Sequence, residues 1–166
     1  FIEPLDLSMT RIPLFINHLM FLLGSYSLSD LESALLGYLS PAPINGTAAD
    51  SKSAFSYEVS PSRCVVRQSD QDGLTAETNH YEDTSWDIPE EAIDKNWKNS
   101  EERRDNLLAL GESYKGTIDA EVMMTIFDIP KSQGGATVDD TTYQVVAVPS
   151  QLKIWVKVRG YQKWVL

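Results

Sequence analysis

The sequence predicts an α+β fold in which helical layers cover antiparallel sheet, and three features carry that prediction. Short runs with a two-residue period recur across residues 53–78 and 142–166, joined by tight turns that favour antiparallel pairing. Helical patterns with start and stop signals lie near residues 12–23, 29–39, 101–110 and 118–127. The order is helix, helix, strands, helix, helix, strands, and each sheet has one apolar face that a neighbouring layer must cover.

Taken in order, residues 12–23 carry Leu14, Phe15, Ile16, Leu19, Met20, Phe21, Leu22 and Leu23 around nearly the whole helical circumference, which predicts a helix packed on several sides and closed by Gly24. The stretch is broken by Pro13, Asn17 and His18 and is too short to span a bilayer, so no membrane span is expected. His18 reads as a core histidine. Ser29-Asp30-Leu31-Glu32 has the spacing of a capping box, and the helix it opens is expected to end at Pro41 and Pro43. Phe55, Tyr57 and Val59 alternate with Ala54, Ser56 and Glu58, as in a half-buried strand. Ser60-Pro61-Ser62 turns the chain into Cys64-Val65-Val66-Arg67, and a second turn at residues 70–73 leads to a third strand at residues 74–78.

The polar stretch over residues 79–98 has no period and reads as a long loop with Trp86 and Trp97 as inward anchors. Ser100 is the predicted cap of a charged helix ended by Gly111, and Thr117 the predicted start of another, with Ile118, Val122, Met123 and Ile126 on one face. Leu152, Ile154, Val156 and Val158 alternate strictly with Lys153, Trp155, Lys157 and Arg159, which predicts a buried apolar face. A final strand is expected over residues 161–166. With 166 residues, 42% of them hydrophobic, one domain spanning residues 1–166 is the natural organisation.

Composition limits the function. Fourteen basic residues against 24 acidic ones give a formal charge of −10, so the electrostatic footprint of a nucleic-acid binder is missing. The single cysteine, Cys64, excludes an internal disulfide framework and a thiolate zinc cluster. Asn45-Gly46-Thr47 matches a glycosylation sequon, which matters only in a secretory pathway and is short enough to arise by chance. The compartment is not legible. No phosphate-cradling glycine loop, His-x-x-x-His pair or Gly-x-Ser-x-Gly turn occurs, and no cofactor or metal is expected. Glu82, Asp83 and Asp87 beside His80 match the spacing of no cation loop. What remains is Thr78-Asn79-His80-Tyr81, where a strand gives way to a long loop and a side-chain amide can be held by the sheet while facing a cavity.

The run of motifs around it resembles one family. An Ile12-Pro13 step into an apolar helix, a Ser-Asp-Leu-Glu helix, Ala48-Ala49-Asp50, Phe55-Ser56-Tyr57-Glu58-Val59-Ser60-Pro61 and Thr78-Asn79-His80-Tyr81 occur in the order found in the penicillin acyltransferase-like linear amide hydrolases. The resemblance continues through residues 100–104, Gly116-Thr117-Ile118-Asp119, Thr141-Thr142-Tyr143-Gln144-Val145-Val146 and residues 152–159. It implies the four-layer αββα sandwich of the N-terminal-nucleophile (Ntn) hydrolases, of which this chain would be the C-terminal portion. It also implies autoproteolytic processing that frees a cysteine, whose thiol attacks an amide carbonyl while its own α-amino group acts as base. The resemblance assigns Asn79 the role of oxyanion donor. His80 and Tyr81 fall beside the substrate, and Arg159 lies where the family carries basic residues near the cleft.

The chain opens on Phe1, which has no nucleophilic atom, and Cys64 lies among apolar strand residues. The nucleophilic cysteine is therefore expected on an upstream segment of the same precursor, partnering this chain as a heterodimer after cleavage. The expected activity is hydrolysis, or acyl transfer, on a small-molecule amide. The alternative from another class is a non-catalytic αββα module that binds an apolar ligand or a partner chain.

Overall fold

The computed structural model describes residues 20–21, 23–40, 42–69, 73–161 and 163–166. It is a mixed α+β structure with a three-stranded and a two-stranded antiparallel sheet. The chain gathers into two compact units, Phe1–Lys98 and Asn99–Leu166. Most of the helix expected over residues 12–23, His18 included, lies outside the described residues; residues 20, 21, 23 and 24 are helical.

In the first unit, helix α1 (Leu28–Leu36) packs on a meander of β1 (Ile44–Ala49), β2 (Ala54–Val59) and β3 (Cys64–Gln68), with β2 in the centre. The register Ala48↔Phe55↔Gln68, Gly46↔Tyr57↔Val66, Ile44↔Val59↔Cys64 puts the apolar residues of all three strands on one face. Leu31, Leu35 and Phe55 form the core there, with Phe21, Leu28, Ala48, Tyr57, Cys64 and Val66 packed around them. The opposite face carries Asn45, Thr47, Ser56, Glu58, Val65 and Arg67. Gly46 is needed because Tyr57 lies over it: a Cβ there would stand 2.7 Å from the phenol oxygen.

Three details of this unit differ from the sequence prediction. The cap of α1 is Ser27, whose hydroxyl accepts from Asp30 N at 3.2 Å while the Asp30 carboxylate accepts from Tyr26 N at 3.1 Å. The reciprocal cap thus sits two residues before Ser29, and Gly37 ends the helix ahead of Pro41. The third strand is residues 44–49, paired with the other edge of β2, and residues 74–78 form no strand. Their polar side chains reach inward instead: Thr75 bonds Ser56 at 2.6 Å and Glu77 pairs with Arg67, so the segment crosses the polar face of the sheet and does not extend its edge.

Trp86 and Trp97 are half-buried; Trp86 ends a 3-10 turn, Thr84–Trp86, and Trp97 lies in helix α2 (Lys95–Ser113). That helix starts five residues before Ser100, because the Asp94 carboxylate accepts from Asn96 N at 2.8 Å and Trp97 N at 2.9 Å. Ser100 is buried inside it, and Gly111, also buried, does not stop it.

In the second unit, α3 (Ala120–Asp128) begins at Asp119, whose carboxylate accepts from Val122 N at 2.9 Å, and Thr117 lies outside it. It packs on the ribbon of β4 (Tyr143–Val148) and β5 (Lys153–Val158), with Ile126 and Val146 buried. The register Gln144↔Lys157, Val146↔Trp155, Val148↔Lys153 shows which face meets α3. The predicted buried face is the other one: Leu152, Ile154 and Val158 are 95%, 53% and 48% exposed, and Tyr143 opposite Val158 is 65% exposed. Trp155 and the Lys157 stem, both half-buried, supply the inward side, since long amphipathic chains can cover apolar surface. Among the described residues of the expected final strand, the pairing is an isolated bridge, Val156↔Val165.

The tightest point of this unit is Gly135, whose Cβ would fall 2.0 Å from the Ile129 carbonyl oxygen. Gly135→Ala is expected to destabilise the unit by the upper end of the ~1–3 kcal/mol typical of overpacking, or more, because backbone must move. Urea denaturation checks it; a loss below about 0.5 kcal/mol would show that the loop adapts freely.

Candidate functional site

The site is built on the polar face of the three-stranded sheet. Glu58 in the central strand is fully buried. Its carboxylate accepts from Arg67 Nε at 3.2 Å, from Glu82 N at 2.7 Å, from Asp83 N at 3.3 Å and from the indole of Trp86. A buried carboxylate must be compensated in this way, and the compensation fixes where residues 82–86 run. Tyr81 then stacks on Trp86 at 4.4 Å and donates its hydroxyl proton to the Val59 carbonyl. The Arg63 guanidinium lies 4.2 Å above the same indole.

Residues 78–80 are held from below by β1. The Asn45 amide donates to the carbonyl oxygens of Thr78, at 2.5 Å, and His80, at 2.9 Å. His80 is 4% exposed, its ring 5.2 Å from Trp97 and its Nδ1 3.1 Å from the Thr78 hydroxyl. His80 and Tyr81 therefore spend their side chains on the interior. Asn79, between them, is exposed.

Beside this segment three carboxylates surround one guanidinium. Arg67 contacts Glu58, Glu77 and, at 3.4 Å, Glu82, with side-chain exposures of 0%, 6% and 11% for the three acids. One guanidinium is thus shared among three acids. Burial first, and the neighbouring Glu82 and Glu58 carboxylates second, push Glu77 up to about 7, although Arg67 and a bond with Ser56 pull the other way. Its Oε2 atom has no hydrogen-bond partner among the described residues.

Cys64 stands on β3 against the α1 core, and burial, with the Glu58 charge, pushes its thiol up to about 11. It is not a thiolate near neutrality. Arg159 lies exposed in the second unit, just past β5, and its backbone N–H donates to the Thr142 carbonyl at 2.8 Å. Glu82 is engaged with Arg67 and Asp83 caps the Thr84–Trp86 turn, accepting from Ser85 N at 2.9 Å. No group of three or more His, Cys, Asp or Glu side chains is arranged to hold a metal among the described residues. Thus the Thr78–Tyr81 motif comes together with Asn45, Glu58, Arg67 and Glu77, none of which the local motif announces. The two-residue period of β2 and β3 was the available signal for Glu58 and Arg67, since it puts both opposite the apolar face.

Comparison with protein-family models, characterised proteins and solved structures returned no match to this chain.

Because Glu77 binds its proton more tightly in the fold, at about 7, than at its ordinary 4.5, that contribution to stability is complete below pH 4.5 and is lost as pH rises through 7. The loss amounts to up to about 3 kcal/mol. Glu77→Gln should remove this slope, so the variant gains on the wild type between pH 5 and pH 8 in denaturant titrations. A constant difference across that range would show that Glu77 is ionised throughout.

Proposed function

We propose that this chain is the oxyanion-donor portion of an Ntn-type amide hydrolase or acyltransferase of the penicillin acyltransferase-like kind. The observation that carries the reading is an exposed Asn79 flanked by residues tied to the sheet beneath it, Thr78 on one side and His80 and Tyr81 on the other. A donor amide held by rigid backbone and open to one side is what stabilisation of a developing alkoxide requires. In the proposed reaction a cysteine thiol attacks the amide carbonyl and its α-amino group takes the proton. Asn79 Nδ2 donates to the carbonyl oxygen as it becomes an oxyanion, the α-ammonium gives its proton to the leaving nitrogen as the C–N bond breaks, and water or a second amine releases the acyl group.

The chemistry of Cys64 supports a nucleophile supplied from outside this chain. A half-buried strand thiol pushed up to about 11, with no free amino group of its own, lacks both nucleophile and base. The exposed apolar face of the β4–β5 ribbon supports the four-layer αββα architecture. A two-stranded ribbon with one bare apolar face is marginal alone, and a facing sheet would cover Tyr143, Ile154 and Val158. Roles for His80 and Tyr81 near the substrate go through their backbone, given their buried side chains; Arg159 is the remaining candidate for a basic contact.

A second reading, a non-catalytic module for an apolar ligand, has one observation in its favour. A cleft of about 460 Å³ lies between α1 and β1, lined by Leu28, Leu31, Leu35, Ala48 and Tyr57, on the sheet face away from Asn79. Amide turnover by the natural polypeptide decides between them.

In that polypeptide Asn79→Ala is expected to lower kcat by about two to three orders of magnitude with KM little changed, as for other single oxyanion donors. Full activity with reduced thermal stability would make Asn79 a turn-stabilising residue. Cys64→Ala is expected to leave turnover intact, and this chain without its upstream partner to show none. Turnover by the chain alone that disappears in Cys64→Ala would overturn the placement of the nucleophile.

A further inference from the structure

We propose that Asn45 is a positioning residue for Asn79, a proposal that rests on the reading of Asn79 as the oxyanion donor. Asn45 belongs to β1 and pairs in register with Glu58, so its base is a ladder strand beside the most deeply buried carboxylate of the unit. From there its Nδ2 donates to the carbonyl oxygens of Thr78, at 2.5 Å, and His80, at 2.9 Å. Both amide hydrogens are used, and the two carbonyls they hold stand on either side of residue 79. The backbone that aims the Asn79 side chain is thus fixed from both ends by one group.

The smaller replacements cannot do the same: a hydroxyl offers a single donor hydrogen, and an ionised aspartate offers none and faces two carbonyl dipoles. The strand is fixed in turn on its other face, where Gly46 admits the ring of Tyr57. Catalytic donors act over a few tenths of an ångström, and a misplacement of about 1 Å can cost on the order of 10²-fold in rate. Asn45 touches neither substrate nor reacting atoms; it acts through Asn79.

The test is a double-mutant cycle in the natural polypeptide, read by steady-state amide turnover and by hydrogen exchange resolved to peptides. Asn45→Ala is expected to lower kcat about 10-fold or more with KM little changed, and Asn45→Ser, which keeps one donor, to fall between it and the wild type. Added to Asn79→Ala, Asn45→Ala should cost nothing further, because its effect passes through the missing amide. Exchange should quicken at residues 78–83 and stay unchanged in α1 and the β1–β2–β3 ladder. If Asn45→Ala reaches full kcat, if its loss multiplies with that of Asn79→Ala, or if exchange at residues 78–83 does not move, the positioning role is wrong while the donor reading stands. If Asn79→Ala is itself silent, the donor reading falls and the positioning role falls with it. Should Asn45→Ala fail to fold, Asn45→Ser in the same cycle carries the comparison.

Discussion

The buried carboxylate of Glu58 is the constraint on which the described site depends. Next to the end of the central strand, with no exposed surface, it requires donors to converge on it, and four do: Arg67, two consecutive backbone N–H groups and the Trp86 indole. A buried ion pair is weak evidence for net stability, since hydrophobic replacements often do as well. It is strong evidence for placement. The backbone donors at Glu82 and Asp83 belong to a long irregular segment with little apolar content, so the route of that segment over the sheet is set by hydrogen bonding and not by packing.

The two-residue period of the sheet turns this into a division of labour. Residues with one parity face α1 and make the core; those with the other parity make a polar platform of Asn45, Ser56, Glu58 and Arg67. Residues 75–86 cross the platform through Thr75, Glu77, the carbonyls of Thr78 and His80, Glu82 and Trp86. Asn79 is left exposed at the middle of a segment secured before and after it, which joins pre-organisation to access. The second unit uses its sheet differently, covering one face with α3 and leaving aliphatic and aromatic side chains bare on the other.

Much of this was legible where local chemistry decides. The alternation in residues 54–59 and 64–67 marks both strands within a residue, and the apolar periodicity of residues 118–127 marks α3 near its true bounds. Where several signals compete, reading by type alone chooses the wrong one. Ser27 and Ser29 both resemble caps, as do Asp94 and Ser100, and tertiary placement decides between them. Ile44-Asn45-Gly46-Thr47-Ala48-Ala49 lacks β propensity because Gly46 and the alanines suit packing under Tyr57 and α1, so its strand was invisible. Residues 74–78 show the opposite error: they alternate like a strand, yet Thr75 and Glu77 bond side chains on the sheet face. Asn45 was legible only as a sequon. Its partners lie 33 and 35 positions away, a relation no local pattern encodes.

In the proposed reaction the Asn79 amide faces an oxyanion formed by attack of a cysteine other than Cys64. The most direct measurement is a crystal structure of the natural polypeptide after reaction with an aldehyde analogue of an acyl amide, which traps a tetrahedral hemithioacetal on the attacking sulfur. The expected sulfur is that of an N-terminal cysteine outside this chain, with the adduct oxygen about 2.7–3.1 Å from Asn79 Nδ2. An adduct on Cys64, or an adduct oxygen held by other donors with Asn79 turned away, would contradict it.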